Sequence, residues 1–205
     1  MIKLLLLISL SVALSGCASI QKMSLQDRQR LQTISVNPVV EKAPGMYYLG
    51  PGSGFGMMFG AIGGAISAVA SIAPGKALRE FAEKNNIFID KIVFEEVNNA
   101  LHQSGKFAIA ESATASSAIL NISVDVYGFS IPHGFSSNLV PVVSIRCSLV
   151  DPSGKTIWRA NDRVLPLGNP AEAVSQDDIK KNPRLIEDGW RIASRSIIES
   201  MVKGL

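Results

Sequence analysis

Cysteine, histidine and net charge are all scarce in this 205-residue sequence, and each scarcity excludes something. Cys17 and Cys147 are the two cysteines, so a disulfide-stapled scaffold is out of reach. His102 and His133 are the two histidines, and neither has His, Cys or Asp ligands at the short spacing a metal site uses. Twenty Lys and Arg stand against 17 Asp and Glu, a formal charge of +3, which gives no electrostatic case for nucleic acid. Patterned nucleophiles are missing too, since no G-x-S-x-G occurs. Gly52-Ser53-Gly54-Phe55-Gly56 is glycine-rich but lacks the lysine of a phosphate-binding loop. No cofactor and no catalytic set is expected, and hence no enzyme.

What the sequence does have begins at its start. Lys3 precedes an uncharged apolar stretch, Leu4 to Leu14, long enough for the core of an export signal and too short to span a bilayer. Leu14-Ser15-Gly16-Cys17 follows and resembles the bacterial lipobox, in which the cysteine thiol takes a diacylglyceryl group and the chain is cut just before it. Each buried methylene contributes about 0.8 kcal/mol, so one acyl chain binds marginally and two or three bind stably. The expected partner is therefore a membrane, reached through lipid on Cys17. The residue after the cysteine is Ala18. By resemblance to enterobacterial lipoproteins, the absence of Asp there implies the periplasmic face of the outer membrane. Cleavage removes 16 residues and Lys3 alone among the charged side chains, leaving 189 residues at +2, one modest domain. Residues 1–16 are thus expected as signal peptide, 17–32 as a polar lipidated tether with room for a short helical piece, and 33–205 as a single domain.

From Ala43 to Gly75 there is no charged residue. Within residues 52–73 of that span, Gly52, Gly56, Gly60, Gly64 and Ala68 recur every fourth position, one stripe on a helix where a second backbone can approach closely. Phe55 to Ala73, 19 residues, is long enough to enter a bilayer as a helix, and its spacing resembles the glycine zippers of some outer-membrane lipoproteins. Glycine costs a water-exposed helix about 1 kcal/mol each relative to alanine. The stripe therefore calls for a close partner. Three readings fit: insertion or self-association in membrane, a buried helical hairpin on the domain's own sheet, or an apolar loop that orders on a partner.

The remainder reads as strands and helices. Ile34 and Val36 mark a first strand before Pro38, and Met46 to Leu49 a second short one. Pro74 and Gly75 break the apolar run. Ile89, Ile92, Val93, Val97, Ala100 and Leu101 form a helical stripe, stopped by Gly105. Phe107 to Ile109 is a short strand. In Ala118 to Phe129, Leu120, Ile122, Val124 and Val126 alternate with polar residues; in Leu139 to Val150, Val143, Ile145, Cys147 and Leu149 share one face. Asp151-Pro152-Ser153-Gly154 turns the chain into a return strand, Lys155 to Leu165. Ile186, Trp190, Ala193, Ile197 and Met201 stripe a helix from about Pro183 to Lys203. Trp158, Trp190 and Cys147 are expected in the core, and the carboxylate pairs Glu95-Glu96 and Asp177-Asp178 in solvent. The order predicts an α+β two-layer sandwich: an antiparallel sheet with two main helices packed on one face, plus the Gly-rich apolar helical segment.

The run Val97 to Phe107 (VNNALHQSGKF), then Ala118 to Gly128, then Leu149 to Trp158 (LVDPSGKTIW), resembles a group of small periplasmic lipoprotein domains. That group includes the curli-secretion channel family and the auxiliary lipoproteins of envelope transporters. The resemblance covers roughly residues 30–203 and carries fold signatures only. The lipid anchor, the α+β domain and the glycine stripe together lead to the expectation of a non-enzymatic docking or assembly component with an envelope protein partner or a second copy of itself. The alternative that the resemblance implies is a subunit of an oligomeric secretion channel.

Overall fold

The computed structural model describes residues 20–51, 73–134 and 136–205. Three long strands form its spine: β5 (Ala118–Ser130), β6 (Asn138–Val150) and β7 (Thr156–Val164). They run antiparallel, β5 to β6 and β6 to β7, as the alternation and the Asp151–Gly154 turn predict. The other strands are short: β1 (Thr33–Val36), β2 (Glu41–Lys42), β3 (Tyr47–Leu49), β4 (Ala108–Ile109) and β8 (Val174–Ser175). The sheet order is β4-β1-β5-β6-β7, with β2 and β3 also against β5 and β8 against β6.

The sheet is mixed, and here the expectation of a purely antiparallel one is corrected. β1, β2 and β3 all run parallel to β5, and β4 runs parallel to β1. β1 finds its partner after two helices, and so long a crossover permits parallel pairing where a tight turn would not. Pro38 and Pro44 bring no N–H to a ladder, so the first edge of β5 is covered in three pieces.

A bulge in β5 also changes the expected inside face. Val124 lies opposite Ile145, and Val126 opposite Ser144, leaving Asp125 as the extra residue. Leu120, Ile122 and Val124 face the core before it. Beyond it the phase flips, so Tyr127 and Phe129 are buried in place of Val126.

Helices cover one face. α2 (Pro74–Lys84), α3 (Ile89–Ser104) and α5 (Arg184–Lys203) supply the layer, while α1 (Leu25–Arg30) and α4 (Gln176–Lys181) are single short turns at the periphery. α3 ends where Gly105 takes a left-handed conformation (φ 59°), which a Cβ would strain. α2 is absent from the sequence reading, which took Pro74 as a break. Proline at a first helical position is compatible with a helix because that N–H has no partner in any case. Ala77, Leu78, Phe81 and Ala82 then bury one face of it. Trp190 of α5, 1% exposed, sits against Tyr127 edge-on at 5.7 Å and Phe129 at 6.0 Å. Its indole N–H donates to the carbonyl of Gly128 at 3.3 Å.

The segment expected as a tether lies on the domain over its described part. Gln21 and Arg159 exchange backbone hydrogen bonds of 2.9 and 3.0 Å, an antiparallel bridge on the edge of β7. Ser24 caps α1 by accepting from the Asp27 amide at 3.0 Å, and Leu31 is buried.

Candidate functional site

Cys17 and the stripe Gly52, Gly56, Gly60, Gly64 and Ala68 lie outside the described residues. What the structure supplies is the ground on either side of them. Pro51 and Ala73 are the described residues that flank the uncharged segment. Tyr48 OH donates to the Pro51 carbonyl at 3.1 Å, and the Gln176 amide of α4 donates to Tyr48 OH at 2.9 Å and to the same carbonyl at 3.4 Å. Burial pushes the Tyr48 phenol up to about 12, with Gln176 opposing, so it stays a neutral donor. On the Ala73 side, a Cβ on Gly75 would collide with the Met46 carbonyl, so α2 begins in close contact with the approach to β3. The two flanks thus sit beside a cavity of about 610 Å³ lined by Met46, Tyr48, Leu49, Pro74 and Arg79. Arg79 Nη1 donates to the Pro44 carbonyl and ties α2 to the same loop.

The face of the sheet away from the helices is open and polar, as one face of an antiparallel sheet can be. Asn121, Ser123 and Ser148 point there with Arg146 and Arg159. With Asn37 they line a groove of about 470 Å³. The Asn37 amide donates to Asn121 at 2.9 Å, and Arg146 donates to Asp125 at 2.7 Å. The groove offers hydrogen bonds and guanidinium charge, and none of its lining residues is aromatic.

The carboxylates divide differently from expectation. Glu95 is exposed, but Glu96 is 3% exposed, a correction to its reading as a solvated residue. It accepts from Arg191 at 2.9 Å and from Arg195 at 2.9 and 3.3 Å, and so joins α3 to α5. Burial alone would raise its pKa; the two arginines outweigh that and hold it below the ordinary carboxylate value. Arg191 also reaches Glu95 at 2.9 Å and Glu187 at 3.0 Å. Asp178 sits in the first turn of α4, donating its amide to Ser175 at 3.1 Å.

Cys147 is buried in the sheet, where desolvation pushes its thiol up to about 12. His102 stands in the last turn of α3 and His133 in the loop after β5, both exposed. Among the described residues no three His, Cys, Asp or Glu gather as a metal site, and no helix is long and apolar enough to cross a membrane.

No protein-family model matches the chain, and no curated protein matches it. Among solved structures it is similar to protein XCC0632 of Xanthomonas campestris, at 14% identity over 84% of this chain and 81% of that one, with a TM-score of 0.47. It is similar to the PelC dodecamer of Paraburkholderia phytofirmans at 14% identity over 91% and 94%, with a TM-score of 0.36. A third likeness is to lipoprotein GNA1162 of Neisseria meningitidis, at 19% identity over 77% and 96%, with a TM-score of 0.29. TM-scores below 0.5 leave the functional case to the chain's own residues.

Proposed function

We propose that this chain is a non-enzymatic protein of the bacterial cell envelope, held at the outer membrane by lipid on Cys17 and acting there as a docking or assembly component. One observation carries the reading. Leu14-Ser15-Gly16-Cys17 stands just ahead of Gln21, the residue at which the chain joins the sheet through Arg159. A cut before Cys17 therefore removes nothing that the described fold uses, and a cut a few residues later would strip the edge of β7. The small residues, the apolar core and the nucleophilic thiol all sit in the register that lipidation needs.

The rest of the domain supports docking over catalysis. Its one internal thiol is buried, and its most buried carboxylate is occupied by two arginines. The open polar face with its groove is a surface for a partner. The test is fractionation with mass spectrometry. The mature chain should begin at Cys17, carry a diacylglyceryl group and sediment with membranes, and Cys17→Ala should release it. An unmodified Cys17 or an uncleaved leader would sink the proposal. A defined large oligomer in mild detergent would move it to the channel-subunit alternative.

A further inference from the structure

The Gln21–Arg159 bridge is antiparallel, and that sets the direction of the lead-in. β7 runs from Thr156 to Val164, so Ile20 lies on the Val164 side of Gln21 and Lys22 on the Thr156 side. The chain thus comes to Gln21 from the end of the sheet where β5 and β7 finish and β6 begins. Cys17 is four residues before Gln21, so it lies within about 14 Å of it even when fully extended. The stretch of β7 from Arg159 to Val164 is about 16 Å long. Cys17 is therefore joined to Gln21 by a short link with no long spacer.

Four exposed apolar side chains gather at the same end, while Leu25 at 81% and Val39 at 68% stand singly elsewhere. Leu165 and Leu167, directly after β7, are 48% and 89% exposed. Tyr47 and Leu49 of β3, paired beside Gly128 and Ser130 of β5, are 43% and 52% exposed. Pro51 and Ala73, which flank the uncharged segment, lie close to Tyr48 and Leu49 there. The opposite end, at the β6–β7 turn, carries Asp151, Ser153 and Lys155, with Asp27 of α1 3.5 Å from Lys155. Two features share one end: the direction in which Ile20 approaches Gln21, and the exposed side chains of Tyr47, Leu49, Leu165 and Leu167.

We propose that this rim, formed by Tyr47, Leu49, Leu165 and Leu167, is a membrane-contacting surface that rests on the lipid bilayer with the β6–β7 turn pointing away from it. The inference rests on lipidation of Cys17. Apolar side chains at such an interface enter the boundary of headgroups and acyl chains, whereas a domain on a long spacer would have no preferred face.

The full lipidated chain, carrying Leu167→Cys or Leu25→Cys, is labelled with a polarity-sensitive dye. It is then reconstituted on phosphatidylethanolamine/phosphatidylglycerol vesicles with or without brominated acyl chains. Both positions are strongly exposed, and Cys147 is buried, so each variant presents one new thiol. Leu167 is expected to be quenched about twofold or more by the brominated lipid and Leu25 to be unaffected, as placement within about 10 Å of the acyl boundary requires. Protein that floats with vesicles but shows quenching at Leu25, or at neither position, would overturn the orientation and leave the anchor standing. Protein that fails to float and has an unmodified Cys17 by mass would overturn both.

Discussion

Replacing Glu96 by glutamine keeps the side chain's shape and removes its charge, at a position where three donor atoms converge. Hydrogen bonds to charged groups contribute about 1.5–3 kcal/mol when net effects are measured. Both arginines retain water, at 26% and 54% exposure, and Arg191 keeps Glu95 and Glu187. The loss at neutral pH should therefore fall in the lower part of that range, about 2 kcal/mol, which for a domain of this size lowers Tm by about 4–8 °C. Removing both arginines instead, as Arg191→Ala with Arg195→Ala, leaves a buried carboxylate without its partners and should cost more, about 3–5 kcal/mol. The pH dependence has a definite sign. Glu96 is depressed in the folded state, so its contribution is complete above the ordinary value of 4.5 and is lost as pH falls through the folded value. Urea unfolding of wild type and Glu96→Gln should accordingly differ at pH 7 and converge in acid. A gap that persists unchanged at pH 3, or a double arginine variant more stable than Glu96→Gln, would refute the reasoning.

Gly128→Ala should destabilise by about 3 kcal/mol or more, because its Cβ would collide with the Tyr47 carbonyl and its φ is +149°; loss of near-UV circular dichroism from the Trp190 cluster is the readout. Ser194→Ala should stabilise by about 1 kcal/mol, since the Ser194 hydroxyl is fully buried and unpartnered among the described residues; a lowered urea midpoint would contradict this. The Cys147 thiol should resist a disulfide reagent at pH 8 in the native protein and react at once in denaturant, and rapid native labelling would show that the core is open there.

Long strands and helices were legible where one periodicity ran unbroken. β6 alternates from Val143 to Val150, α5 carries its stripe over 20 residues, and Gly105 stops α3 where the pattern does. What escaped depended on partners distant in sequence. Nothing near Ile34 states that it will lie beside Ala118, and nothing near Glu96 states that Arg191 and Arg195 will reach it. Asp125 hid the phase change in β5, because a single inserted residue leaves the local composition unchanged. Two misses had local signals. The Ala77, Leu78, Phe81 and Ala82 stripe marks α2, and Ser175 three residues before Asp178 marks the start of α4. At the candidate site, a pattern of charge, apolar core and small residues points to Cys17, which lies outside the described residues. The clamp of Tyr48 and Gln176 on Pro51 was not legible, because its two halves come from opposite ends of the domain.

The parallel placement of β1 against β5 has a temporal side. Thr33 bonds to Ser117, 84 positions later, and Asn37 to Asn121 across the same interval. A chain synthesised from its amino terminus delivers the first strand long before its mate. Until Ala118 and the residues after it emerge, β1 has no ladder to join, and closing so large a loop is slow compared with zipping the β5–β6–β7 meander. Early arrival thus does not bring early locking: β1 waits for β5.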